Sequence, residues 1–187
     1  IAGYAVAGRC LQDPKYVETA ARAADFVLQK LRTPDGRLLR TYGTAPGGKA
    51  EARLKAYLDD YAYLVHGLLC LHDATNDKKW LDAAKTLTDK MVELNADAKS
   101  GGFFYTANDH EKLFTRSKDQ FDGAQPSGNS VAARNLVRLV VKTGDDRYRT
   151  LAEKSFKAFA ATMQTSPGSM TAMAEALAMY LDLPGKR

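Results

Sequence analysis

The sequence predicts an all-α chain of repeated helical hairpins, and three observations carry that expectation. Asp13-Pro14-Lys15-Tyr16, Asp77-Lys78-Lys79-Trp80 and Asp145-Asp146-Arg147-Tyr148 share one pattern: an aspartate, an aromatic residue three positions on, and an alanine four positions later, at Ala20, Ala84 and Ala152. The aspartates are 64 and then 68 residues apart, and such self-similarity marks a repeat architecture. Each pattern also separates a broadly apolar segment from a charged, amphipathic one. Connections within a repeat are short, whereas those between repeats run to about 25–30 residues, a length that is uncommon without a function.

The apolar segments, residues 2–11, 57–74 and 130–142, read as helices that should be enclosed. The segments after the turns, residues 15–32, 78–94 and 147–163, show helical apolar spacing, as in Tyr16, Ala20, Ala23, Phe26 and Val27, and should cover the outside. Asp13 can cap its helix with Pro14 at the first position. Asp77 and Asp145 can cap in the same way, and Gly144 can end the helix before it. A seventh helix, residues 168–181, would start with Ser166 as cap and Pro167 at its first position. The long loops, residues 33–56 and 96–126, carry strand signals: one strand at 36–42, and a β-hairpin of 102–106 with 112–116.

Parallel inner helices inside an outer layer make an α/α toroid. A tetratricopeptide-type solenoid is the rival, but its period is about 34 residues with short turns throughout, and the long loops argue against it. A six-hairpin ring needs twelve helices and this chain has about seven, so a partial toroid domain spanning 1–187 is expected. Its hairpins are residues 1–32, 57–95 and 128–164, with an orphan helix at 167–182. The chain opens on Ile1, which fits a piece of something longer.

Composition excludes several classes. Net charge is +5, with 27 basic residues mixed among 22 acidic ones, so nothing demands nucleic acid. No apolar run reaches the roughly 18 residues of a membrane span. Three scattered histidines and two cysteines, Cys10 and Cys70, show no metal-ligand spacing, so neither metal nor cofactor is expected. Both cysteines read as buried thiols of a reducing compartment, and a cytoplasmic location is the expectation. Arg32, Arg37, Arg40, Lys49, Arg53 and Lys55 crowd the first long loop and read as a solvated surface.

Chemistry-bearing residues gather at inner-helix N-termini. Tyr57, Asp59, Asp60, Tyr63 and His66 stand on the second inner helix, with Asp59, Tyr63 and His66 on one face. The third is entered through Lys118, Asp119, Asp122, Ser127 and Asn129. Simpler roles exist for several of these. Asp59 and Asp60 complement a helix dipole, Ser127 is a natural N-cap, and Asn129 can hold loop backbone instead of a ligand. A hydrolytic mechanism would pair Asp60 with Asp122 as acid and base. A proton-transfer mechanism would use His66 as its base. In either case Tyr57, Asp59, Tyr63, Lys118, Asp119, Ser127 and Asn129 would bind the substrate.

Two stretches carry a family resemblance: Leu58-Asp59-Asp60-Tyr61-Ala62-Tyr63-Leu64-Val65-His66-Gly67 and Asp122-Gly123-Ala124-Gln125-Pro126-Ser127-Gly128-Asn129-Ser130. With Gly101-Gly102-Phe103-Phe104-Tyr105 they resemble the thioredoxin-domain-containing proteins related to spermatogenesis-associated protein 20. In that family a thioredoxin-like domain precedes a toroid similar to N-acylglucosamine 2-epimerases and six-hairpin glycosidases. The resemblance implies a toroid fragment of a longer chain with a thioredoxin-like domain. It also implies a carbohydrate-active module, an epimerase, isomerase or glycosidase type acting on a small sugar. The alternative is a non-catalytic helical domain that binds a ligand or partner.

Overall fold

The repeat is written most plainly at the hairpin turns. In a computed structural model describing residues 1–44, 47–111 and 114–184, each inner helix ends on a residue in the left-handed conformation: Gln12 (φ 55°), Asn76 (φ 56°) and Gly144 (φ 69°). The aspartate after it turns its carboxylate onto the next helix. Asp13, Asp77 and Asp145 accept backbone N–H bonds from Lys15, Lys79 and Arg147 at 3.0, 2.9 and 2.9 Å. The left-handed residue satisfies the last carbonyls of one helix and the aspartate satisfies the first N–H groups of the next.

The helices are α1 (Ala2–Leu11), α2 (Pro14–Lys30), α3 (Leu58–Thr75), α4 (Lys78–Asn95), α5 (Gly128–Thr143), α6 (Asp146–Thr165) and α7 (Thr171–Leu181). The strands β1 (Leu39–Thr44) and β2 (Ala50–Lys55) pair antiparallel, Leu39 opposite Lys55 and Thr44 opposite Ala50. The chain divides into two compact units, Ile1–Lys90 and Met91–Arg187.

In the first unit α3 packs against α1 and α2, and α1 packs against α2. Alternating Leu, Val and Ala around α3 leave ten of its residues buried, so it forms the unit's core. Gly8 is required where α1 meets α2, because a Cβ there would lie 2.5 Å from a methyl of Val17. The loop before α3 is tied down by Tyr61, whose buried hydroxyl accepts the Leu38 N–H at 2.8 Å. Trp80 is only 2% exposed, as its repeat position implies. Trp80→Ala should destabilise the protein by about 3 kcal/mol or more, through lost burial and the cavity left behind. Chemical denaturation would read this as a lower midpoint with an unchanged slope.

In the second unit α5 packs against α6 and α7 and buries eleven residues. Tyr148, the third aromatic of the repeat, is 1% exposed.

Several expectations are corrected. The strand at 36–42 is β1, shifted toward the turn, and its partner β2 has an Ala-Glu-Ala-Arg-Leu-Lys sequence that carries no strand signal. Cross-strand pairing overrides propensity there. The hairpin of 102–106 with 112–116 does not form as a ladder among the described residues, and residues 112 and 113 lie outside them. Phe103 bridges to Ala96 instead, because its backbone is taken by Asn129. Ser166 and Pro167 open a short turn and not the orphan helix itself. Pro167–Ser169 is a single 3-10 turn, and α7 starts at Thr171. Cys10 is exposed and only Cys70 is buried; neither forms a disulfide. Of the basic loop residues, Arg37 is buried at 6% exposure and is no part of a solvated surface. Finally, α1 is not enclosed: only Ala5 and Gly8 are buried.

Candidate functional site

In the first unit the expected residues gather along α3. Tyr57, in extended conformation, is its N-cap, and the Asp60 carboxylate reaches back to accept the Tyr57 N–H at 2.8 Å. This is the return arm of a capping box. Asp59 and Asp60 therefore lie in the first turn, where carboxylates complement the partial positive charge of the helix terminus. The Arg40 guanidinium sits 5.0 Å from the centroid of the Tyr57 ring, a cation–π contact between the first long loop and the start of α3. Asp59, Tyr63 and His66 follow one another on a single face, and all three are half-buried. One turn further on, the Cys70 sulfur lies 3.8 and 4.0 Å from the two ring nitrogens of His66. His66 thus stands between a polar helix start and a buried thiol, partly open to solvent. A proton-transfer group needs that kind of position.

The second set occupies the loop before α5 in the second unit, and here the polar atoms hold backbone. Ser127 is the N-cap of α5, its hydroxyl accepting the Ser130 N–H at 3.1 Å. Asp122 uses both carboxylate oxygens on backbone: one accepts the Ser127 N–H and the other the Ala172 N–H, each at 2.8 Å. It therefore ties the starts of α5 and α7 to one loop. Asn129 is fully buried, and its side chain mimics a strand edge. Its oxygen accepts the Phe103 N–H at 2.8 Å, and its nitrogen donates to the carbonyls of Phe103 and Asp119 at 3.0 and 2.7 Å. Lys118 donates to the Gly101 carbonyl at 2.7 Å and pairs with Asp97 at 2.7 Å. The Asp119 carbonyl is engaged, while the residue itself is exposed. Of the alternatives open in the sequence, the capping role of Ser127 and the loop-holding role of Asn129 are the ones observed.

Two glycines make this arrangement possible. Gly101 and Gly102 have φ of +76° and +69°, and a Cβ on Gly101 would lie 2.3 Å from the Lys154 carbonyl oxygen. The turn can then pass against the backbone of α6 and deliver Phe103 to Asn129.

Asp97 was not marked by the sequence reading, although it centres the turn. One of its oxygens accepts the N–H groups of Lys99 and Ser100 at 2.9 and 3.1 Å. The Lys118 ammonium and these amides hold its carboxyl down at about 2. A carboxyl depressed on folding adds stability above its unfolded pKa, near 4, and that stability is lost as pH falls toward 2. Asp97→Asn should therefore cost about 1–3 kcal/mol at neutral pH. It should also flatten the fall in melting temperature between pH 4 and 2, which calorimetry across that range would measure. The Asp-x-Lys-Ser-Gly-Gly run could have revealed the turn, because aspartate followed by small and glycine residues favours such local bonds. Arg40 and its contact with Tyr57 had no signal of this kind.

A cavity of about 330 Å³ in the second unit is lined by Val92, Ala96, Phe103, Leu151, Glu93 and Lys154, among others. None of the expected site residues lines it. No cluster of metal-ligating side chains is found among the described residues.

The sequence profile of the N-acylglucosamine 2-epimerase (GlcNAc 2-epimerase) family matches residues 11–170, from the end of α1 to the start of α7. The chain belongs to that family. It is also 36% identical over 182 residues to spermatogenesis-associated protein 20 of Homo sapiens, and 36% identical to the Rattus norvegicus protein of the same name. The match takes in 95% of this chain and 23% of the human protein, so the chain spans about a quarter of the length of these relatives.

Among solved structures, it is similar to a GH76 α-mannanase of Bacteroides thetaiotaomicron, with TM-score 0.69 and 17% identity over 96% of this chain and 49% of that one. It is also similar to the cellobiose 2-epimerase of Spirochaeta thermophila, with TM-score 0.63 and 20% identity over 83% of this chain and 40% of that one. These likenesses show that the fold is of the α/α-toroid class expected from the repeat. Among the described residues no helix is long and apolar enough to cross a membrane.

Proposed function

We propose that the chain is a carbohydrate-active module that interconverts sugars by proton transfer, and that α3 carries the reacting groups. The family match over residues 11–170, which takes in the whole of α3, carries this reading. Inverting a carbon beside a carbonyl requires removing its proton and returning one to the opposite face. The enzyme must therefore supply one group that takes the proton and one that returns it. His66 is the base in this proposal and Asp60 the second proton carrier. Tyr63 and Tyr57 offer ring faces to the sugar, and Asp59 accepts a hydroxyl. Asp122, Lys118, Asp119, Ser127 and Asn129 shape the second loop, because their bonds to backbone fix its course. Two free thiols and the lack of a disulfide support a reducing compartment such as the cytoplasm. In the longer relatives the same module would work beside other domains.

A thermal-shift screen of reducing hexoses, N-acylhexosamines and β-linked disaccharides tests the binding half of this reading. A ligand that binds the folded state raises the melting temperature in proportion to RT ln(1 + [L]/Kd). At least one sugar class should do so, and Asp60→Asn should keep both the fold and the shift, since asparagine retains an acceptor for the Tyr57 N–H. Loss of helicity in Asp60→Asn would make Asp60 a structural cap alone. No shift with any sugar would contradict the proposal.

A further inference from the structure

We infer that the sugar taken at the start of α3 carries an anionic group, a phosphate ester or a carboxylate, and that Arg40 is the residue that binds it. The inference deepens the proton-transfer reading above and rests on it. The first long loop is one-sided in charge. Arg37, Arg40, Lys49, Arg53 and Lys55 stand between positions 37 and 55 with a single acidic residue, Glu51. That carboxylate is committed to Arg53 at 2.8 Å.

The register of the β1–β2 hairpin decides which of these cations meets the site. Side chains alternate along a strand, so Leu38, Arg40 and Tyr42 share one face of the segment that runs into β1. Leu38 is 2% exposed, and the Tyr42 ring meets the Phe26 ring of α2 edge-on, with 5.3 Å between centroids. That face is therefore the one turned toward the helices of the first unit. Arg40 lies between these two anchors, with its guanidinium against the Tyr57 ring at the start of α3. Lys49, by contrast, is exposed beside the turn at the far end of the hairpin.

Arg40 is positioned there with its charge still available. It is exposed, and among the described residues its guanidinium makes no ion pair and no hydrogen bond. The Asp60 carboxylate, in the first turn of α3, is turned onto the Tyr57 N–H instead. A cation–π contact fixes where a guanidinium sits without satisfying its N–H donors. The planar fork of donors matches the paired oxygens of a phosphate or a carboxylate. Tyr57 is one of the rings that the proposed site offers to the sugar, so a group carried by that sugar comes within reach of Arg40. A neutral hexose would bring only hydroxyl groups to this fork and gain no pairing of opposite charges from it.

Thermal-shift titration of the 187-residue chain with matched ligands tests this. Glucose is set against glucose 6-phosphate and glucuronate, and N-acetylglucosamine against its 6-phosphate, with inorganic phosphate as a separate arm. At low salt at least one anionic sugar should bind at least about tenfold tighter than its neutral parent, the gain of a charge-assisted bond. Added salt should shrink that difference. A gain for the phosphates alone or for the uronate alone says which anionic group the site takes. Arg40→Gln should bring the anionic sugar down to the affinity of its neutral parent. Lys49→Gln, which removes the same charge at the other end of the hairpin, should keep the difference. Should Arg40→Gln fail to fold, the wild-type comparison and Lys49→Gln decide. Equal affinity for neutral and anionic sugars would overturn the inference and leave the proton-transfer reading standing. So would an equal loss in Lys49→Gln, since the general charge of the loop would then be responsible, or inorganic phosphate binding as tightly as the sugar phosphates. No shift with any sugar would overturn both.

Discussion

Asn129→Ala is expected to destabilise the second unit by about 2–6 kcal/mol, a large fraction of the stability of an ordinary domain. The side chain makes three hydrogen bonds at a fully buried site, to both backbone groups of Phe103 and to the Asp119 carbonyl. Alanine leaves all three partners without these bonds, and the two buried Phe103 groups alone cost about 1–3 kcal/mol each. Denaturant unfolding followed by circular dichroism would measure the loss. Asn129→Asp gives a second reading. It keeps the acceptor for the Phe103 N–H but replaces the amide donor with an oxygen facing two carbonyls, so it should be at least as harmful. A folded, stable Asn129→Ala that merely loses sugar binding would return Asn129 to the role of ligand contact.

The second large effect concerns chemistry. His66→Gln should lower sugar turnover by at least about a hundredfold, the usual contribution of a positioned acid–base group. The melting temperature should change little, since His66 is half-buried and not among the buried core residues of α3. Steady-state kinetics should place the loss in kcat more than in KM, because the interaction is made in the transition state. A loss confined to KM would make His66 a binding group.

How much of this was legible in the sequence depends on the range over which each feature is decided. The helix ends were legible because they are set by neighbours a few residues apart. Asp13, Asp77 and Asp145 each bond an N–H two positions on, and Gly144 supplies its own left-handed turn. The toroid class followed from the period. The strand β2 was not legible, because its pairing with β1 depends on a partner across a turn and not on its own residues. The work done by Asp122 was hidden for the same reason: one of its oxygens serves Ala172, 50 positions away. The exposure of α1 was also out of reach, since an apolar pattern states what a helix requires and not what stands beside it.

Deuterium incorporation during incubation of the protein with reducing sugars in D2O, followed by proton NMR, tests the central claim most directly. Proton transfer by His66 predicts loss of the C2 proton signal in at least one sugar that the thermal-shift screen identifies as a ligand. It predicts that His66→Gln binds the same sugar without exchange. Binding with no exchange in the wild-type protein, or unchanged exchange in His66→Gln, would contradict the account.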